Sequence, residues 1–444
     1  MQVAAGFAGV GNVGRTTPRA RLARHVRKEN ARAVARGERR VNMFRNRSLS
    51  VIAGIVMVIA SMVVAPDAPA VAAPPAQPAH APTGGSPQDK ARMLGAGVTH
   101  NCAVTTRGAV LCWGDNRSGG LGDGTTTDAL KPVLVRGLDA RVKQVSSGYL
   151  FTCALTVRGA VKCWGSNLVG ELGNGAEEES HVPVDVVGLG SGVTAIAAGE
   201  SHACAVTSQG GVKCWGFGGY GALGDGSTGG YARTPVAVVG LAKGVTAISA
   251  ALRNTCAIDR AHRVLCWGSN EFGQLGNNST TDSPVPVPVG GLVGGVRQIS
   301  VGATFMCAVT YDRAAKCWGE NGDGELGNNS HASSSTPVGV LGLGSGVRWV
   351  SAGVQHACAV TLRRTVKCWG WNPFGALGDN STDSSASPVD VRNLAGVRKV
   401  AVGWLHSCAV TTRKAVFCWG YGGGGELGNG ATAPALTPVR VFGF

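Results

Sequence analysis

Fourteen cysteines stand in seven pairs with nine residues between the members of each: Cys102 and Cys112, Cys153 and Cys163, Cys204 and Cys214, Cys256 and Cys266, Cys307 and Cys317, Cys358 and Cys368, Cys408 and Cys418. Zinc ligation is disfavoured, because no Cys-x-x-Cys knuckle occurs. Two chemistries remain. If each pair sits on opposed positions of a β-hairpin, the backbones approach closely enough for a cross-strand disulfide. If the thiols stay reduced, they act as small buried hydrophobes. Even pairing with no cysteine left over favours disulfides and an oxidising compartment. Each closed loop would then contribute on the order of 2–3 kcal/mol.

Other residue types offer less chemistry. Two positions before each first cysteine stand His100, Phe151, His202, Asn254, Phe305, His356 and His406, and the Phe and Asn members rule out a consistent ligand ring. These histidines read as packing or turn-capping groups. The acidic turns Asp123–Asp128 and Asp379–Asp383 lack the alternating oxygens and closing Glu of a calcium loop and read as Asx-turns. No Gly-x-Ser-x-Gly elbow lies between a strand and a helix. The expectation is no catalytic residue, no metal, no cofactor and no enzyme activity.

These side chains must be carried by short strands. The first cysteines are 51, 51, 52, 51, 51 and 50 residues apart, and within each unit four apolar runs rich in Val, Ile, Ala and Cys are broken by Gly, Asn, Asp and Ser. Four strands, A to D, per period of about 50 predict an all-β, seven-bladed β-propeller. Every second cysteine is followed by Trp-Gly, and Leu-Gly comes nine residues after it. A tryptophan repeated once per blade packs between neighbouring sheets, and the glycines permit tight turns.

The unit resembles the repeat of the regulator of chromosome condensation family. The residues that carry the likeness are Gly199-Glu-Ser-His202-Ala-Cys-Ala-Val-Thr207 and Trp267-Gly-Ser-Asn-Glu-Phe-Gly-Gln-Leu-Gly276. It extends from about residue 91 to the end and implies a seven-bladed propeller, here of the secreted bacterial type. Fold speaks weakly to activity. A family member promotes nucleotide exchange on a small GTPase through a protruding wedge. The spacing here leaves no room for one: 11 or 12 residues separate each Leu from the strand-D proline, and 20 or 21 separate that proline from the next cysteine.

Strand alternation puts the A–B and C–D loops on one face and the B–C and D–A turns on the other. On the first, Tyr149, Phe217, Tyr220, Phe272, Trp371, Phe374, Trp404 and Tyr421 change from blade to blade, as a protein-recognition surface on a rigid scaffold requires. A secreted propeller resembling the family inhibits β-lactamases through such a face, so an inhibited enzyme is one concrete partner. The opposite face carries Arg107, Arg158, Arg260, Arg263, Arg313, Arg363, Arg364, Arg413 and Lys414, a set able to hold an anionic cell-envelope polymer or polysaccharide. The leading expectation is a monomeric, extracytoplasmic protein-binding scaffold; the alternative is an envelope- or polysaccharide-binding module, and nucleotide exchange ranks third.

Four segments are expected: a basic extension over 1–47, a signal peptide or membrane anchor over 48–72, a Pro/Ala-rich linker over 73–90 and the propeller over 91–444. Residues 51–65 are almost continuously apolar, follow Arg45 and Arg47, and precede Ala68-Pro69-Ala70-Val71-Ala72, the layout of a cleavable secretory signal. Initiation at Met43 would give that signal a compact positive n-region; otherwise the extension stays cytoplasmic. Contact with the membrane would come only through an uncleaved segment. Residues 1–47 hold 12 Arg and Lys against 2 Glu, so +10 of the formal +15 lies there and +5 remains for 48–444. A nucleic-acid partner is therefore not expected. The sequence leaves open how the ring closes.

Overall fold

The computed structural model describes residues 90–138, 141–292 and 294–444. The extension, the apolar segment and the linker up to 89 lie outside the described residues. Strands A to D of blade 1 run Ala91–Ala96, His100–Thr105, Val110–Gly114 and Ala129–Leu134. Six more blades follow over 142–185, 193–237, 245–288, 296–339, 347–390 and 397–440, each a four-stranded antiparallel sheet of consecutive strands. Among the described residues the one helical element is a three-residue 3-10 turn, Gly219–Gly221.

In every blade the two cysteines are directly opposed on strands B and C, with Cα atoms 4.0–4.1 Å apart, and all seven pairs are disulfide-bonded. Bulky Val, Leu and Ile on both sides of each bridge make one apolar cluster per blade interface.

The blades are joined by the repeated tryptophan. Trp113, Trp164, Trp215, Trp267, Trp318, Trp369 and Trp419 are fully buried. Each indole N–H donates to a main-chain carbonyl of the preceding blade, as Trp164 does to Gly120 and Trp369 to Glu325. The residue after each loop leucine must be glycine for the same reason. A Cβ on Gly327 would lie 2.8 Å from the Trp369 Nε1, and its φ is +63°. The family-pattern histidines sit one layer away: His100, His202, His356 and His406 are buried and hydrogen-bond Thr152, Thr255, Ser407 and Asn101 of the next blade at 2.7–3.0 Å. Burial pushes their imidazoles down to about 4 for His100 and His202 and about 3 for His356 and His406, so they are neutral structural groups.

Closure uses these same contacts and no exchanged strand. Blade 1 is built wholly from residues 91–134, and it meets blade 7 through Trp113 Nε1 and Asn101 Nδ2, which donate to the Glu426 carbonyl at 3.0 and 2.9 Å. The innermost strand of each blade would otherwise present a bare edge to the central channel. Side chains of the preceding blade cover it: Gln144 exchanges both bonds with Ile196, Gln298 does so with Val350, and Ser146, Ser300 and Ser351 accept from Ala198, Ala352 and Val402 N–H.

Candidate functional site

The frame leaves two faces for contact. On the loop face, most C–D loops are stapled by one asparagine. Asn167, for example, accepts the Leu172 N–H through Oδ1 at 2.9 Å and donates through Nδ2 to the Ala176 and Glu178 carbonyls. Asn116, Asn270, Asn321 and Asn372 do the same for their loops. Blades 3 and 7 carry Gly218 and Gly422 there, and both loops fold inward so far that a Cβ would meet a carbonyl at about 3 Å. The acidic turns are Asx-turns, with Thr125 and Ser381 N–H donating to Asp123 and Asp379 Oδ1.

Four of the eight aromatic candidates come together. Trp371 meets Phe374 edge-on with ring centroids 6.4 Å apart, and Phe374 meets Tyr421 at 5.2 Å, bridging blades 6 and 7. Tyr421 and Trp404 then line a cleft of about 380 Å³ where blade 7 meets blade 1. The other four stand apart. Tyr149 in blade 2 and Phe272 in blade 4 are half-buried; Tyr220 is exposed, with the Arg253 guanidinium 4.4 Å above its ring. Phe217 is the last residue of its strand, paired with Tyr231, because the Gly218-Gly219 turn that follows lets blade 3 continue the ladder by one residue.

Asp128, read from the sequence only as part of an Asx-turn, and Asp115, Arg117 and Glu426, which that reading passed over, complete the cleft. Burial works against the charge of Asp115, but bonds from Arg117 hold its carboxyl below the usual range. Burial pushes Glu426 the other way, and Asp115 and Asp128 add to the rise. A signal for this chemistry was present in the loops. Among the described residues, Arg117 and Arg253 are the only Arg or Lys side chains on the A–B and C–D loops, against many carboxylates such as Glu171, Glu200, Glu271, Glu320, Asp323 and Glu325.

The opposite face reverses the sign. Asp312 is the only carboxylate on its B–C and D–A loops among the described residues. The predicted tip cations Arg107, Arg158, Arg260, Arg263, Arg313, Arg363, Arg364, Arg413 and Lys414 lie on or beside these turns, Arg263 paired with Asp259 at 2.8 Å. An inner ring was not anticipated. In every blade the second residue of strand A is bulged out of register, and five of the seven bulge residues are the exposed Arg92, Lys143, Arg297, Arg348 and Arg398. A bulge re-aims its side chain, and here Arg92 donates to the Val142 and Lys143 carbonyls and Lys143 to that of Thr194, each on strand A of the next blade. At the tips of blades 4 to 7, His262, Arg313, Arg364 and Lys414 occupy left-handed backbone, φ +62° to +69°, where blades 1 to 3 use glycine.

Among the described residues no group of three or more His, Cys, Asp and Glu side chains is arranged to hold a metal ion.

Residues 138–442 match the RCC1-like domain, and 107–155 and 94–119 match the regulator of chromosome condensation (RCC1) repeat. The chain is 33% identical to the ultraviolet-B receptor UVR8 of Arabidopsis thaliana over 288 residues, 64% of this chain and 65% of that one. It is 33% identical to the human E3 ubiquitin-protein ligase HERC2 over 301 residues, 66% of this chain and 6% of the ligase. The chain thus spans less than two thirds of either relative. Human WBSCR16 superposes with a TM-score of 0.68 at 22% identity, covering 75% of this chain and 93% of that one. Prp20p of Saccharomyces cerevisiae, described with its binding to Gsp1p and histones, gives 0.67 at 23%, covering 80% and 88%. At these identities the structural likeness speaks to the fold.

Proposed function

This chain belongs to the RCC1-like domain family, and from that premise we propose that it is an extracytoplasmic, non-enzymatic scaffold that binds a protein partner through its loop face. The observation that carries the reading is the convergence of Trp371, Phe374, Tyr421 and Trp404 across blades 6 and 7, beside a cleft, on a frame whose other parts repeat almost without change. Aromatic anchors on loops held by a rigid scaffold supply contact area at little entropic cost. Seven disulfides with no free cysteine support residence outside the cytosol. The even spacing of the blades, without an inserted catalytic loop, supports binding over catalysis. In capture from the extracellular proteome, Trp371→Ala with Trp404→Ala should lower recovery of the partner at least about tenfold, as loss of hot-spot aromatics does. Unchanged recovery would refute the assignment to this face.

A second reading is favoured by the bulge ring. Arg92, Lys143, Arg297, Arg348 and Arg398, concentric with the tip cations, would hold an anionic envelope polymer at the other face. Retention on such a polymer should weaken with salt and with loss of Arg348 and Arg398.

A further inference from the structure

The cleft at the seam of blades 7 and 1 has a composition that specifies its occupant. Asp115, Asp128 and Glu426 face one resident cation, Arg117, which is committed to Asp115 by an ion pair. Glu426 is 5% exposed, and neither of its oxygens meets a side-chain donor or a cation; one accepts the Gly424 N–H at 2.9 Å. A carboxylate buried without a counter-charge is costly, and a cation arriving beside it offsets that cost. The walls are Trp404 and Tyr421, whose ring faces attract cations.

Another seam carries a cation of its own over an aromatic ring. At the seam of blades 3 and 4, the guanidinium of Arg253 lies 4.4 Å over Tyr220, and its charge opposes the rise that burial imposes on the half-buried Glu200 carboxyl. Arg253 immediately precedes strand B of its blade, and Thr99 holds that place in blade 1. The seam of blades 7 and 1 also holds aromatic rings and a carboxylate, but from other loop positions, Trp404 standing at the place of Glu200 and Glu426 at that of Ala222, and it has a short hydroxyl where the other seam places its own arginine.

We propose that this cleft receives a lysine or arginine side chain projected by the protein partner. The inference rests on the loop-face reading and names the partner's chemistry: a basic residue at the centre of its contact, entering between Trp404 and Tyr421 toward Glu426. The volume, about 380 Å³, is at the lower end of ligand pockets and suits one extended side chain.

The test titrates the full chain with hexa-arginine and with hexaglutamate, following tryptophan fluorescence and calorimetry. Hexa-arginine should bind and hexaglutamate should not. Glu426→Gln, which keeps an acceptor for the Gly424 N–H, should weaken hexa-arginine at least about tenfold. Thr99→Arg should supply the missing cation internally and abolish binding. Glu178→Gln, on the outer loop of blade 2, should leave binding unchanged. Circular dichroism and melting confirm that each variant is folded. Failure of hexa-arginine to bind, or binding indifferent to both Glu426→Gln and Thr99→Arg, overturns the proposal. If that occurs while partner capture still depends on Trp371 and Trp404, the loop-face reading stands and only the cation is wrong.

Discussion

The loop face and the hairpin face are made by opposite ends of the same strands, yet they are governed differently. The B–C turns are four residues long in every blade, and apart from Asp312 the charge they carry is positive. C–D loops are longer and carry the buried carboxylates and aromatics, and in blades 3 and 7 they exchange the asparagine staple for glycine. The Trp, His and disulfide contacts fix the frame, while loop positions outside the asparagine staple and the Leu-Gly pair differ from blade to blade. The loop face holds charges that packing does not need, such as Glu426 and Glu325; the hairpin face holds cations in backbone that favours glycine.

The strongest way to break this comparison is to remove the frame that both faces share. Trp369→Ala should cost about 3–5 kcal/mol, through the cavity and the orphaned Glu325 carbonyl. Denaturant unfolding measures it, and both binding activities should fall together. Loss of one activity alone would show that the faces do not depend on a common ring.

Acidity separates the faces more finely. Burial pushes the Glu325 carboxyl from its ordinary 4.5 to about 8, with Glu320 and Asp323 adding to the rise. Above pH 4.5 the unfolded chain has released this proton while the folded chain keeps it, so the group withdraws stability as pH rises from about 4.5 to 8. His356 and His406, held at about 3, act in the opposite sense: the unfolded chain takes up protons below 6.5 that the folded chain refuses, and stability falls as pH drops from 6.5 toward 3. Glu325→Gln copies Gln274, which accepts the Phe272 N–H as Glu325 accepts that of Asp323. It should remove the share of the loss toward pH 8 that Glu325 causes, a difference from the parent growing by up to about 1.4 kcal/mol per pH unit, and leave the acid side unchanged. Melting profiles of both proteins between pH 5 and 8 that run parallel would contradict the assignment.

The smallest effect concerns the tips. Arg364→Gly and Lys414→Gly should each raise stability by about 0.5–1 kcal/mol, the relief of left-handed backbone less the larger unfolded entropy of glycine. Weaker retention on an anionic polymer should accompany the gain. A loss of stability would mean that these side chains make contacts worth more than the strain.

Most of the frame was legible because it is written seven times. The nine-residue gap between cysteines is a hairpin register, and Trp-Gly with Leu-Gly is one interlock repeated around the ring. The cleft was not legible, because it joins Asp115 and Arg117 to Trp404 and Glu426, about 300 residues away, and a repeat does not say which loop side chains meet across the closing seam. The aromatic candidates were found by their variation, but only adjacency in space distinguishes Trp371, Phe374, Tyr421 and Trp404 from Tyr149 and Phe272. The inner basic ring escaped because period-two alternation hides a bulge; Arg92 and Lys143 look like ordinary strand residues until register with strand B is known.

Which face does the recognising is decided most directly by an amide hydrogen-exchange footprint of the chain with its captured protein partner. Slowed exchange is expected in the A–B and C–D loops around Trp371, Trp404 and Tyr421, with the B–C turns unaffected. Protection confined to the turns at Arg363, Arg364, Arg413 and Lys414 would contradict the account.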